Sequence, residues 1–177
     1  KPQITMLPTN ELERNETQID IANFTMTTDY VQYKAEAPLK AISSAVHNAG
    51  IGWYDTFLNR SIAPDYDIYS VKEETYDFLV NNNFSPTSTV VMMTAVATKC
   101  AAIQTFTHAE LEIVIMVTAG VGNGVDVTKT YLRDEQPHVG TINTWVFING
   151  KLTDEAFIQA MITATEAKTK ALADQQV

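Results

Sequence analysis

The segment Leu111–Thr118 constrains the fold most, because from Ile113 to Val117 its side chains are apolar at odd and even positions alike. Successive side chains of a strand point to opposite faces of the sheet, so this strand is expected to be covered on both faces. Alternation and β-branched or aromatic content predict further strands. They are expected at residues 19–22, 31–35, 53–62, 88–95, 101–107 and 141–149, whereas the type of segment 39–46 stays open.

Two helices accompany these strands. Ser70 and Glu73 have the spacing of a capping box, which predicts a helix that ends at the asparagine run 81–83. A second helix is expected to begin at Thr153. Strands combined with two helices predict a single α/β or α+β domain, with a mixed or mainly antiparallel sheet and helices packed on it. We assign residues 17–177 to this domain and the polar residues 1–16 to a leader or linker.

Charge and cysteine content narrow the classes of partner and compartment. The 177 residues carry a net charge of −9, which argues against binding to nucleic acid or to anionic membranes. No apolar run is long enough to cross a bilayer, so the chain is not expected to insert in a membrane. The single cysteine, Cys100, cannot form an internal disulfide, which fits the cytoplasm. We expect Cys100 to be a small buried side chain.

The glycine-rich segment Gly120–Gly124 follows the apolar strand and allows two interpretations. Glycines at positive φ form tight turns, and they also let a backbone approach a ligand. A nucleotide-binding loop is the weaker form of the ligand interpretation, because Val125 stands where the dinucleotide pattern needs its third glycine. Asn123, an amide between two glycines, favours a ligand site.

Two charged residues of the predicted last helix differ in their setting. At about 100° per residue, Lys168 falls within an apolar stripe that includes Phe157, Met161 and Ala164, while Glu166 points roughly to the opposite side. Lys168 either extends along the apolar surface to reach water or has a function in a pocket. A function for Glu166 requires that a second face of the helix be covered.

Among the histidines, His47 is the one best placed for acid–base chemistry, because Ser44 and Asn48 lie nearby in the sequence. A structural role for His47 stays open beside the catalytic one. His108 and His138 occur in polar, turn-like segments and are expected at the surface. The sequence has no HExxH or CxxC spacing, so we expect no metal site and activity that survives chelation.

Six short blocks in the chain combine small, amide and hydroxyl side chains: Ser43–Asn48, Asn59–Asp67, Met92–Ala95, Thr118–Asn123, Gly140–Asn143 and Thr165–Lys168. Taken in this order, they resemble the adenosylcobinamide amidohydrolases. Gly122 and Gly124 depart from this resemblance, because serine and alanine are common there in the family, and Ala49 replaces the first glycine of an Asn-Gly-Gly stretch. Substrate preference is therefore less constrained than fold.

The resemblance implies an activity and a set of site residues. Such enzymes hydrolyse the amide between a propionate arm of the corrin ring and aminopropanol, which gives adenosylcobyric acid and 1-amino-2-propanol for corrinoid salvage. The cobalt corrinoid is the substrate, and no further cofactor is implied. We expect catalytic roles among His47, Asn123, Glu166 and Lys168. Substrate-binding roles are expected for Ser44, Asn48, Asn59, Thr94, Thr118, Gly120, Gly122, Thr141 and Asn143. Thr118, Asn123, Thr141 and Asn143 are predicted to line one pocket, since each lies where a strand meets a glycine-containing turn.

The resemblance also bears on partners. Family members occur fused behind the ATPase subunit of a corrinoid transporter, so fusion to or association with such an ATPase is one expectation, and a homodimer is another that the sequence leaves open. The alternative function is a corrinoid-sensing or binding module that kept the pocket and lost the chemistry. Both functions predict a corrinoid as the ligand.

Overall fold

The computed structural model describes residues 19–63, 65–66, 70–122 and 140–176. Within these ranges the chain forms seven strands and two α-helices, together with two short 3-10 turns at Ile21–Asn23 and Thr98–Cys100. The elements in chain order are β1 (Phe24–Met26), β2 (Tyr30–Ser43), β3 (Gly50–Ser61), α1 (Val71–Asn81), β4 (Thr89–Thr94), β5 (Ala102–His108), β6 (Leu111–Ala119), β7 (Ile142–Ile148) and α2 (Asp154–Asp174).

The first sheet is mixed and has the strand order β1-β2-β3-β4. Strands β1, β2 and β3 pair antiparallel, and β4 joins β3 in parallel after the α1 crossover. The pairing of β2 with β3 shifts between Lys34 and Leu39. Pro38 lies in this irregular stretch, where a residue without an N–H breaks no regular ladder bond. The segment 39–46, whose type the sequence left open, therefore continues β2 as far as Ser43.

The second sheet is antiparallel, with β6 between β5 and β7. The register places Thr118 of β6 directly opposite Asn143 of β7. The division into a mixed sheet and an antiparallel sheet, with two helices, makes the fold α+β and confirms the class expected from the sequence.

The main core lies between the two sheets. Tyr33 and Phe57 of the first sheet meet Trp145 and Phe147 of the second, and the rings of Tyr33 and Phe147 have their centroids 4.4 Å apart. Burying an aromatic or large aliphatic side chain contributes about 1.5–3 kcal/mol, so this cluster holds the sheets face to face.

A smaller core lies on the other face of the first sheet. There Leu79 of α1 packs against Leu58 of β3 and Val91 of β4. The order of layers is therefore α1, the mixed sheet and the antiparallel sheet.

Two local predictions are wrong. The strand expected at residues 19–22 is instead a 3-10 turn, because the Asp20 carboxylate accepts a hydrogen bond from the Ala22 N–H at 2.8 Å and turns the chain. The α1 helix begins at Val71 as expected, but Ser70 makes no side-chain capping bond. Thr153, by contrast, caps α2 by accepting from the Ala156 N–H at 3.3 Å.

The predicted exposure to solvent is wrong for Cys100 and confirmed for His108. Cys100, the last residue of the 3-10 turn before β5, is exposed rather than buried as expected. His108 is exposed at the end of β5, as expected. His138 and residues 1–16 lie outside the described ranges.

Candidate functional site

Buried amide and hydroxyl groups join the two sheets at one end of the core. Asn59 on β3, Thr118 on β6 and Asn143 on β7 are all buried. The Asn143 Nδ2 group donates to Asn59 Oδ1 at 2.6 Å, and Asn59 Nδ2 donates to Thr118 Oγ1 at 2.8 Å. Buried polar groups are costly unless they are hydrogen-bonded, so these bonds fix the orientation of both amides.

This network extends to the surface of the sheet pair through Thr141. The Thr141 hydroxyl donates to Asn143 Oδ1 at 2.8 Å, and the second hydrogen of Asn143 Nδ2 goes to the Met93 carbonyl at 2.7 Å. Asn143 therefore has no amide hydrogen left for a ligand. We call Asn59, Thr118, Thr141 and Asn143 the Asn–Thr network.

A cavity of about 520 Å³ adjoins the Asn–Thr network. Apolar side chains form most of its wall, with a few polar groups among them, which is the usual composition of small-molecule sites. The lining residues are Ser44, Ala45, Val46, Ile62, Tyr66, Val71, Met92, Met93, Gly140, Thr141, Ile142, Asn143 and Lys168.

Backbone bonds bring the lining segments together. Because β3 and β4 are parallel, the residues that follow them leave the sheet at the same edge, where the Ile62 N–H donates to the Thr94 carbonyl at 2.9 Å. The loop after β2 is tied to β4 by the Val46 N–H, which donates to the Val91 carbonyl at 3.0 Å. The cavity therefore lies where β3, β4 and β7 meet.

Helix α2 places its two charged candidates differently. Lys168 is half-buried in the cavity wall, whereas Glu166 is exposed and does not contribute to the wall. Among the described residues, no carboxylate forms an ion pair with Lys168. Its ammonium can therefore donate to a ligand in the cavity. The other end of the helix is held by Lys40, whose Nζ lies 2.6 Å from Asp154 Oδ1.

His47 and Asn48 lie next to the cavity but not in its wall. His47 Nε2 lies 2.8 Å from the Pro86 carbonyl oxygen, so Nε2 carries the hydrogen there. Asn48 adopts a φ of 57° and donates its Nδ2 hydrogens to the carbonyls of Pro86 and Thr89, each at 2.8 Å. These bonds fix the loop that carries Ser44, and a role for His47 as a base stays a prediction.

Gly120 allows a close approach beside the network. Its N–H donates to the Thr141 carbonyl at 2.9 Å, and a Cβ at this position would lie 3.1 Å from Val96 Cγ2. Thr94 is buried nearby, and its hydroxyl accepts from the Val96 N–H at 3.0 Å. Gly120 and Thr94 thus shape the backbone next to Thr141. Gly122 has open space around it, and Asn123 lies outside the described ranges.

The sequence did not assign roles to a charged cluster at the cavity edge. Both oxygens of the Glu74 carboxylate accept from Arg60 at 2.5 Å, and the Tyr66 hydroxyl donates to Glu74 Oε2 at 2.5 Å. The hydrogen bonds from Arg60 hold the pKa of Glu74 below its ordinary value. Burial, and to a smaller extent the hydrogen bond to Glu74, raises the pKa of Tyr66 to about 12.

A model of the adenosylcobinamide amidohydrolase family (CbiZ) matches residues 13–177. The chain belongs to this family. The membership expected from the six blocks is confirmed, and the match begins before the first block at Ser43. No solved structure matches.

A curated relative is an uncharacterized ABC transporter ATP-binding protein, YvrA, of Bacillus subtilis strain 168. It is 23% identical to the chain over 174 residues, which are 98% of the chain and 34% of the relative. The chain therefore spans about one third of the length of that protein.

The six blocks of the amidohydrolase resemblance converge on one region of the fold. Five of them supply wall residues of the cavity, and the block that begins at Thr118 supplies a member of the Asn–Thr network. Arg60 and Tyr66 both fall within the block Asn59–Asp67, which was the available signal for the charged cluster. Its partner Glu74 lies outside every block and is found from the structure alone.

No group of three or more His, Cys, Asp or Glu side chains in the described ranges is arranged to hold a metal ion. No helix in the same ranges is long and apolar enough to cross a membrane.

Proposed function

We propose that the chain hydrolyses the aminopropanol amide of adenosylcobinamide to adenosylcobyric acid and 1-amino-2-propanol, in corrinoid salvage for cobalamin biosynthesis. The observation that carries the proposal is the meeting of residues from all six family-resembling blocks at one cavity and its Asn–Thr network. The cobalt corrinoid is the substrate of this reaction. The reaction would take place in the cytoplasm, where a free cysteine such as Cys100 stays reduced.

The size and wall of the cavity support binding of one substrate arm. A volume of about 520 Å³ lies within the range of sites for drug-sized molecules, and a complete corrinoid is larger than such molecules. The aminopropanol arm and the adjoining edge of the ring would therefore enter the cavity. The apolar wall would contact the edge of the macrocycle, and the polar groups would bind the amide.

Hydrolysis of an amide requires an attacking nucleophile or water, stabilisation of the oxyanion and an acid for the leaving amine. Lys168 suits stabilisation of the oxyanion or protonation of the leaving amine. Its side chain lies in the cavity wall, and among the described residues no carboxylate forms an ion pair with it. Asn123, Glu166 and His47 remain proposals for the other roles. The buried Asn143 and Asn59 would act by fixing Thr141.

The test is to incubate the purified protein with adenosylcobinamide and to follow adenosylcobyric acid and 1-amino-2-propanol by mass spectrometry. Formation of both products in equal amounts supports the proposal. Corrinoid binding with no product would contradict it.

A second candidate is a corrinoid-binding or sensing module that acts with a transporter ATPase. The observation that favours it is the alignment of the chain with one third of a protein named as an ABC transporter ATP-binding protein. This candidate predicts tight binding of adenosylcobinamide without turnover, so the same incubation separates the two functions.

A further inference from the structure

Tyr66 is a wall residue of the cavity whose hydroxyl hydrogen is committed elsewhere. The hydroxyl donates to Glu74 Oε2 at 2.5 Å, and both oxygens of that carboxylate accept from Arg60. The hydrogen bonds from the Arg60 guanidinium hold the pKa of Glu74 below its ordinary value, so the carboxylate is ionised and offers only acceptor oxygens. Tyr66 must therefore be the donor in its bond to Glu74.

The cluster is held rigidly on its outer side. The Arg60 guanidinium lies over the Phe78 ring, 4.0 Å from its centroid, and only 14% of the Arg60 side chain is exposed. A stacked arginine with a bidentate carboxylate has little freedom to reorient. The Tyr66 hydroxyl is thus fixed in direction, and only its oxygen lone pairs are left for a ligand.

The polar wall therefore contains groups of opposite hydrogen-bonding character. The Lys168 ammonium can only donate, and the Tyr66 oxygen, with its hydrogen committed, can only accept. A secondary amide has a carbonyl oxygen that accepts and an N–H that donates. An amide bound between the two residues would direct its carbonyl to Lys168 and its N–H to Tyr66.

We propose that Tyr66 accepts a hydrogen bond from the N–H of the aminopropanol amide, and that Arg60 and Glu74 are positioning residues that hold its hydroxyl for this contact. The assignment rests on the proposed function for the identity of the ligand. It makes the side of the cavity at Tyr66 the place where the amine part of the substrate lies.

The test compares two corrinoids that differ at this amide. Adenosylcobinamide has the N–H, whereas adenosylcobyric acid has a carboxylate there, and the rest of the ring is shared. Binding constants are measured by stopped-flow before turnover. Tyr66→Phe is expected to weaken adenosylcobinamide binding about threefold to tenfold, the effect of one hydrogen bond, and to change adenosylcobyric acid binding less than about twofold.

Two further variants make the comparison specific. Glu74→Gln is expected to reduce the preference for adenosylcobinamide as well, because the glutamine amide can donate to the Tyr66 oxygen and occupy its lone pair. Tyr76→Phe is the matched control. Tyr76 lies on α1, which follows Tyr66 in the chain, but it is 52% exposed and is absent from the cavity wall. This variant is expected to bind both corrinoids as the wild type does.

Three results overturn the assignment. Equal weakening of both ligands in Tyr66→Phe would make Tyr66 a wall residue only. Unchanged binding of both ligands would show that the Tyr66 oxygen accepts no hydrogen bond from the amide. A wild type that binds neither corrinoid overturns both this assignment and the proposed function. A wild type that binds both without hydrolysis overturns the function alone, because the binding comparison still tests Tyr66.

Discussion

At the scale of single residues, the buried amides have a structural role that their sequence positions alone did not indicate. Asn59 and Asn143 were predicted as substrate-binding residues from the family resemblance, and both lie at the cavity end of the core. The Asn143 amide donates its two hydrogens to Asn59 Oδ1 and to the Met93 carbonyl. Such partners come from distant parts of the chain, so no local pattern could identify them.

Asn59→Leu is expected to lower the free energy of unfolding by about 2–4 kcal/mol, because it leaves Thr118 Oγ1 and one Asn143 hydrogen without a partner in the core. Urea denaturation measures the change. Asn81→Leu, the same substitution at an exposed position of α1, should stay within about 0.5 kcal/mol of the wild type. Equal effects at the two sites would show that the bonds of Asn59 contribute nothing.

Lys168→Met keeps the length of the side chain and removes its charge. We expect at least about a tenfold loss of adenosylcobinamide turnover, the scale of a lost acid or electrostatic group, with unfolding nearly unchanged. Lys170→Met is the control, since the Lys170 side chain is 71% exposed and pairs with Asp174 at the surface. Wild-type turnover by Lys168→Met would leave the lysine with a packing role only.

The raised pKa of Tyr66 predicts a stability change in alkali. Its pKa is about 12 in the folded protein against 10.0 ordinarily, so the folded state keeps a proton that the unfolded chain has lost in this interval. The stabilisation is complete below pH 10 and is lost as the pH rises towards 12. The midpoint temperature of thermal unfolding should therefore fall less steeply with rising pH in Tyr66→Phe than in the wild type. Parallel curves would contradict the assignment.

At the scale of elements, prediction succeeded where periodicity ran over many residues and failed where one side chain decided the backbone. Most strands and both helices occur near their predicted positions. The strand expected at residues 19–22 failed because the Asp20 carboxylate bonds the Ala22 N–H. The Ser70–Glu73 spacing matches a capping box, yet Ser70 makes no such bond, since spacing does not fix a rotamer.

The two helix starts provide a matched pair of substitutions. Thr153→Ala removes a capping bond to the Ala156 N–H and is expected to lower the free energy of unfolding by about 1 kcal/mol. Ser70→Ala removes a hydroxyl that caps nothing, so its effect should stay within about 0.5 kcal/mol. Urea denaturation of both variants checks this. A larger loss for Ser70→Ala would contradict the assignment of the caps.

At the scale of the whole molecule, the sequence predicted the fold class but not the pairing of the strands. Nothing local indicates that β4 joins β3 in parallel while β5, β6 and β7 form a separate sheet, because that division depends on contacts between distant segments. The six blocks were predicted to act together, and the packing of the sheets determines where they meet. Tyr66 and Lys168 lie far apart in the chain and face one cavity.

The central claim is that this cavity binds the amide arm of a corrinoid. A crystal structure of the complex with adenosylcobyric acid tests it most directly. We predict that the carboxylate arm enters the cavity, with an oxygen within about 4 Å of Lys168 Nζ, and that the edge of the ring contacts the apolar wall formed by Val46, Ile62 and Ile142. A corrinoid bound elsewhere on the protein, with the cavity left empty, would contradict the account.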